Sequence, residues 1–502
     1  MGLAVLALPT LLLSIDVSVL HLAVPHISEA LAPSASQMLW IIDIYGFLIA
    51  GFLVTMGTLG DRIGRRRLLL IGAAAFGVAS VAAAWTSDPA ALIAARAALG
   101  VAGATLMPST LALITTMFPD PRQRGMAIAV WVTMFSVGIA LGPVVGGAML
   151  EYFWWGSVFL LAIPIMALLL IAGPVLLPEY RDENAGRLDL ASVLLSLGAI
   201  LPVIYGLKEI AKGGAGVLPV LALVVGLAVA GAFVRRQRTL ADPLLDFRLF
   251  AGPTFRTALA TLLVSMLVAG GTYLFVTQYL QLVGELSPMT AGLYLLPAAF
   301  ALIVTSVVSP IAAAKVRPAY VVAAGLAVSA LGHVMLATAD STSGIAQVVT
   351  GFALVYAGGG PLVALGTDIV VGSAPPEQAG AASALSETST ELGMALGVAL
   401  LGSLGAAVYR GGVEVPGGVS DDAAGTLAGA VEAAKGLPAE AAGAFLDSAR
   451  AAFTDGMNVI GGIGAVLALA SAVLVVLVIK APPAGAGAEE EAGAEPVVAA
   501  VE

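Results

Sequence analysis

The 502-residue chain contains no cysteine. That absence excludes disulfides, thiolate metal sites and thiol chemistry. Histidine is scarce: His21, His26 and His333 are the only three, and they do not form a metal-ligand cluster. Charge is sparse too, with 11% of residues charged against 59% hydrophobic. A soluble protein of this length needs far more charge to cover its surface. No Gly-Lys dipeptide occurs, so the phosphate-binding loop G-x-x-x-x-G-K-[ST] is missing and an ATP-driven pump is disfavoured. The net charge of −10 is unevenly spread, with much of the acid in 409–455 and the tail. It gives no support for nucleic-acid binding.

What the chain does have is long apolar runs, with a mean hydropathy of +1.01. A helix needs about 20 apolar residues to cross a bilayer. By that measure fourteen spans are expected, at 3–25, 38–58, 68–86, 90–114, 126–149, 156–177, 189–207, 217–234, 257–281, 291–312, 319–338, 345–367, 381–408 and 457–479. The expectation is an all-α polytopic membrane protein. No cleavable leader is evident, so the first span is expected to act as an uncleaved anchor. Basic residues orient the spans. With the Arg62–Arg67 loop inside, Lys208, Lys212, Arg410, Lys435 and Arg450 fall outside and Arg96 lies within a span; the other sixteen of 22 Lys and Arg fall inside. Both termini are then cytoplasmic. The external segment 409–455 carries seven acids and three bases. It reads as two amphipathic helices, near 420–435 and 438–453, broken at Gly436-Leu437-Pro438. It is either a solvated hairpin or a lid that attracts cations. The tail 481–502, rich in Ala, Gly, Pro and Glu, is expected to be disordered.

Four carboxylates sit inside these spans: Asp16, Asp43, Glu387 and Glu391. A charge near the bilayer centre costs at least ~2.5–3.5 kcal/mol, so such residues usually face a polar cavity or an ion path. Glu387 and Glu391 are spaced i,i+4 and share one helix face. Their repulsion is relieved by one proton or one cation. Asp43 lies about 7–8 Å into its helix, either at the interface or lining a cavity. Its neighbours Trp40 and Tyr45 are consistent with an interfacial aromatic belt. Arg96 stays charged when buried and needs a carboxylate or carbonyl partner. His21 either titrates or hydrogen-bonds a neighbouring helix. Tyr273, Phe275, Gln278, Tyr279 and Gln281 offer π faces and amides to a lipophilic cation, or else are packing and belt residues.

Three further patterns are more specific. Gly57-Thr-Leu-Gly-Asp61-Arg62-Ile-Gly64-Arg65-Arg66-Arg67 joins spans two and three. Gly138-Ile-Ala-Leu-Gly142-Pro143-Val-Val-Gly146-Gly147 puts small residues on one helix stripe, which lets helices approach closely. Ile15-Asp16-Val-Ser18-Val-Leu-His21-Leu-Ala-Val-Pro25 lies in span one. Together these resemble the signature loop, the antiporter motif and the first-helix motif of the major facilitator superfamily, within its fourteen-span drug:proton antiporters. Leu92-Ile-Ala-Ala-Arg96-Ala-Ala-Leu-Gly100 is similar to the family's fourth-helix motif, with Leu99 in place of the usual Gln. His21 stands where that family usually has Asn. The acids at 387 and 391 resemble those of the subgroup that expels quaternary ammonium compounds and cationic dyes.

The resemblance implies the major facilitator fold with 14 transmembrane helices: a six-helix half in 1–177, two inserted helices in 178–250, and a second half in 251–480. It implies Asp61, Arg62, Arg65 and Arg66 as a conformational latch, and Arg96 as a proton-coupling residue. It also implies a proton-coupled exporter of lipophilic cations, including ethidium- and acriflavine-type dyes and fluoroquinolones, acting as a monomer in a bacterial cytoplasmic membrane. Protons are the coupling ion, and no cofactor or metal is expected. An importer of a cationic metabolite suits the same acids, although the antiporter motif argues against it. A membrane sensor without a transport cycle is the remaining alternative, and no added signalling domain is visible.

Overall fold

The computed structural model describes residues 2–118, 120–181, 189–213, 216–240, 247–341, 344–374, 379–417, 419–420 and 423–479. The helices are α1 (Gly2–Leu31), α2 (Ala35–Ile63), α3 (Arg65–Ala84), α4 (Pro89–Met117), α5 (Pro121–Tyr152), α6 (Ser157–Leu160), α7 (Ala162–Leu176), α8 (Leu190–Gly213) and α9 (Val217–Gln237). They continue with α10 (Pro253–Gln278), α11 (Pro288–Ala313), α12 (Pro318–Ala337), α13 (Ile345–Gly372), α14 (Ala379–Gly412), α15 (Leu427–Ala434) and α16 (Ala439–Val478). No strand occurs among the described residues.

All fourteen expected spans fall on helices, but the count of fourteen is not reached. Twelve helices are long and apolar enough to cross a membrane, or thirteen if the bent α5 counts as one, among the described residues. The shortfall is α8, whose apolar stretch is only Ala191–Gly206 before Lys208, Glu209 and Lys212 enter its last turns. α5 bends by 42° between Thr133–Ile139 and Leu141–Tyr152. Pro143 supplies the cause, because it cannot donate to the carbonyl four residues earlier.

Local chemistry sets the helix starts. Ser34 and Gln37 form a reciprocal capping box on α2, with Gln37 N donating to Ser34 Oγ at 3.3 Å and Ser34 N donating to Gln37 Oε1 at 3.0 Å. Asp88 accepts from Ala91 N at 2.9 Å and precedes Pro89 at the head of α4. The hairpin departs from expectation. Its second helix and the last span are one continuous helix, α16, of 40 residues. No proline interrupts 439–478, so nothing stops the helix. The acidic tail 481–502 lies outside the described residues.

α1–α7 pack mainly among themselves, α1 on α5 and α4 on α2 and α3. α10–α14 and α16 form a second group. The groups meet where α1 touches α10, α2 touches α14 and α5 touches α11. α8 lies along the α2/α14 meeting line, where Ile204 packs with Phe47, Ala395 and Ala399. α9 packs on α8 and is otherwise bare: only Gly226 and Gln237 are buried, while Val217, Leu218, Leu221 and Val224 are exposed. An apolar surface of this kind suits lipid. The end of the bundle bearing residues 409–455 is the hairpin end, and the end bearing Arg62–Arg67 is the loop end.

Candidate functional site: a charged cavity between two helix groups

Arg96 is the organising residue. Its side chain is 1% exposed, and Nη1 donates to Asp16 Oδ2 at 2.7 Å. Nε donates to the Ile41 carbonyl at 3.2 Å. The guanidinium carbon lies 4.3 Å from the Tyr45 ring centroid and 5.9 Å from that of Phe159. Three helices therefore hold one cation. Gly100 makes this approach possible: a Cβ there would lie 2.6 Å from the Tyr45 carbonyl oxygen.

Arg96 also lines a cavity of about 40 Å³, with His21, Asp43, Tyr45, Glu391 and Met394 among the other walls. The volume has room for a few waters and falls far below the ~300 Å³ of a small-molecule site. The cavity lies between α1, α2 and α4 on one side and α14 on the other, so it spans the two groups. Asp43 is buried. His21 is also buried, with its ring edge-on to Tyr273 at 4.9 Å. His21 Nδ1 has no hydrogen-bond partner among the described residues.

Of the sequence candidates, His21, Asp43, Arg96 and Glu391 thus meet at one cavity. Asp16 stands behind Arg96 rather than in the wall. Glu387 is one turn toward the loop end and is not among the lining residues. Tyr273 reaches the site through His21, and its hydroxyl donates to the Ser18 carbonyl at 3.3 Å. The rest of the ninth-span set points elsewhere. Phe275 stacks on Phe453 at 4.9 Å. The Tyr279 hydroxyl donates to the Asp340 carbonyl at 2.5 Å. Gln278 turns back to its own helix, at Leu274 O. Gln281 sits on a π-helical turn, Tyr279–Val283, and donates to the Leu22 carbonyl at 3.1 Å.

The loop candidates form two ion pairs. Arg65 Nη2 lies 2.6 Å from Asp61, one turn earlier. Arg66 pairs with Glu179 at 3.7 Å and donates to the carbonyls of Pro174 and Leu177, at the end of α7. Glu179 in turn accepts Arg66 N at 3.0 Å, at the head of α3. Gly64 adopts φ +111°, and a Cβ there would collide with the Glu179 carboxylate. Only glycine fits both constraints. Gly57 is packed loosely: a Cβ there would lie 4.0 Å from Pro108. Arg62 is exposed.

The glycine motif on α5 serves two neighbours. Gly138, Gly142 and Gly146 face α1, where any Cβ would strike Ser14, Ser18 or Val19. Gly147 faces α11, with the Pro288 carbonyl 2.5 Å from a Cβ position, and the Pro143 carbonyl meets Gly292. Glu151, at the end of α5, accepts from Ser287 Oγ at 2.8 Å and Met289 N at 3.3 Å, at the head of α11.

Sequence reasoning does not find Tyr45 as a partner of Arg96, nor Glu151 and Glu179 as partners of other helices.

Residues 6–398 match the model of the Major Facilitator Superfamily. The chain belongs to the major facilitator superfamily. It is 44% identical over 478 residues to the multidrug efflux pump LfrA of Mycolicibacterium smegmatis, covering 94% of this chain and 95% of that protein. It is 35% identical to the methyl viologen resistance protein SmvA of Salmonella typhimurium, covering 90% and 92%. It is also 30% identical to the tetracenomycin C resistance and export protein of Streptomyces glaucescens, covering 96% and 92%. Among solved structures, a bacterial homologue of the human lysosomal transporter Spinster, inward-facing and unoccupied, superposes with a TM-score of 0.62 at 15% identity, covering 95% of this chain and 97% of that one. A POT family transporter in complex with 5-aminolevulinic acid gives 0.64 at 13%, covering 95% and 97%. These two establish the fold alone. As a superfamily member with many apolar helices, the protein is a multi-pass membrane transporter and not an enzyme, of the drug-efflux kind its relatives represent.

Proposed function

We propose that this transporter is a proton-coupled antiporter that exports lipophilic cations. The observation carrying this reading is a cavity between the two helix groups, with Glu391 on one wall and Arg96, paired to Asp16 behind it, on the other. The pair is internally neutral. Glu391 takes part in no ion pair among the described residues, so a proton or a substrate cation is needed to balance it. A cation and protons then compete for the same carboxylate, and that competition is the exchange.

The substrates are quaternary ammonium compounds and dyes of the ethidium and acriflavine type, with fluoroquinolones as further candidates. Methyl viologen, named for one relative, is a dication of the same class. The loop end is cytoplasmic, both termini lie inside, and the protein acts as a monomer in a bacterial cytoplasmic membrane. α1–α7 form one six-helix half, α10–α14 with α16 the other, and α8–α9 are the inserted pair. Among the described residues, cross-group side-chain hydrogen bonds lie toward the hairpin end, at Tyr273–Ser18, Gln281–Leu22 and Glu151–Ser287. That arrangement corresponds to a state closed to the outside. Substrate enters from the cytoplasm or inner leaflet. Each charge crossing 100 mV is worth about 2.3 kcal/mol, so substrate charge sets how many protons must return.

Ethidium flux in energised cells and inverted vesicles tests this. Uncoupler-sensitive export that collapses in Asp16→Asn is expected. Uncoupler-sensitive uptake of a cation, with no export, would point to an importer instead.

A further inference from the structure

The cavity's charge depends on where one guanidinium points. Arg96 and Glu391 line the same small space, yet Arg96 is committed to Asp16. A guanidinium has edges that donate hydrogen bonds and faces that stack. Here the edges meet Asp16 and the Ile41 carbonyl. One face lies over Tyr45 at 4.3 Å. Tyr45 is 2% exposed, one turn along α2 from Ile41. Its hydroxyl has no hydrogen-bond partner among the described residues. It sits in an apolar corner where Ile49, Leu13 and the Tyr45 oxygen all lie within 3.5 Å of the Cβ that Gly103 lacks. A buried hydroxyl without a partner adds nothing that holds Arg96. The ring is what the cation rests on.

We propose that Tyr45 is a positioning residue: its ring holds Arg96 on Asp16 and away from Glu391, and so keeps the Glu391 carboxylate available for exchange. Without the aromatic face, the guanidinium turns about its side-chain torsions into the cavity and pairs with Glu391. The role of that carboxylate in exchange rests on the proton-coupled reading above. The placement of Arg96 does not.

The test needs no substrate. Carbodiimide reacts with protonated carboxyl groups in apolar surroundings, and a carboxylate paired to Arg96 resists it. The full chain in lipid nanodiscs is labelled with dicyclohexylcarbodiimide, and modification of Glu391 is read by mass spectrometry. Glu391 is expected to label equally in the wild type and in Tyr45→Phe, which keeps the ring. Labelling falls about tenfold in Tyr45→Leu, the scale of a desolvated cation–π contact. Tyr45→Met, closer in volume, replaces Tyr45→Leu if the latter does not fold. Equal labelling in the wild type and the folded non-aromatic variant overturns the proposal. So does a Tyr45→Phe variant as resistant as Tyr45→Leu, because the hydroxyl would then be the essential part. Ethidium export is measured on the same proteins and should fall alongside the labelling. If the wild type labels as expected but exports no ethidium, the transport reading fails while the positioning role stands.

Discussion

Asp16 and Glu391 are both acids in the middle of apolar helices, yet their surroundings differ. Asp16 has a guanidinium at 2.7 Å and is sealed behind it, its side chain 9% exposed. Glu391 faces the cavity beside Met394, Ala395 and Val398. The first acid is compensated by the protein, and the second is left for something that arrives. In the proposed exchange the two differ in role: the permanent pair fixes the wall, and the uncompensated carboxylate is where a proton and a cation compete.

The sharpest way to break this contrast is to remove the cation. Arg96→Leu strands Asp16 in an apolar wall and should cost about 3–5 kcal/mol of stability. Asp16→Leu with Arg96→Leu removes both charges and should recover most of that loss, because well-packed apolar residues replace buried pairs at little cost. Thermal unfolding of the two single variants and the double variant in one detergent measures the coupling. On the other wall, Glu391→Gln should leave the melting temperature unchanged or raise it. Its ethidium export should still drop about ten- to a hundredfold, the equivalent of a charged contact worth ~1.5–3 kcal/mol. Similar melting losses for Glu391→Gln and Asp16→Asn would erase the distinction between the walls.

Glu387 grades the same comparison. It lies a turn outside the cavity, so Glu387→Gln acts through a longer distance. Export of a monocation should fall only a few-fold, and export of a dication such as methyl viologen more, in parallel vesicle assays. The smallest effect is expected at an ion pair far from the cavity. Asp189, at the head of α8, accepts from Arg236 at 2.8 Å and bonds Ser192. These donors, Arg236 first, hold its carboxyl down at about 2. A depressed pKa contributes stability that is present above the ordinary carboxylate range and is lost as pH falls toward about 2. Melting curves of the wild type and Asp189→Asn should therefore differ slightly at neutral pH and converge between about pH 4 and pH 2.

Much of this site could be read from local pattern. The four intramembrane acids and Arg96 stand out because charge in an apolar run is costly wherever the helix ends up. The α5 glycines stand out because their spacing survives any tertiary arrangement. Direction did not stand out. Tyr45 reads as an interfacial aromatic, and Phe275 and Tyr279 as either substrate contacts or packing residues. In the folded chain Tyr45 lies under Arg96, while Phe275 stacks on Phe453 and Tyr279 bonds Asp340. The loop arginines divide as well: Arg65 stays with Asp61, and Arg66 goes to Glu179, more than a hundred residues away.

Hydropathy was enough to indicate an all-helical membrane protein, motif resemblance pointed to its family, and the cost of buried charge singled out four intramembrane acids. The hydrophobic effect and the cost of buried charge act on every residue, whatever its distant neighbours. Folding alone decided that Asp16 is compensated and Glu391 is not, that α16 runs unbroken from the hairpin through the last span, and that α8 lies along the α2/α14 line. Those outcomes depend on which side chains from distant segments meet at one point, and helical periodicity says which face a residue occupies but not what that face will touch.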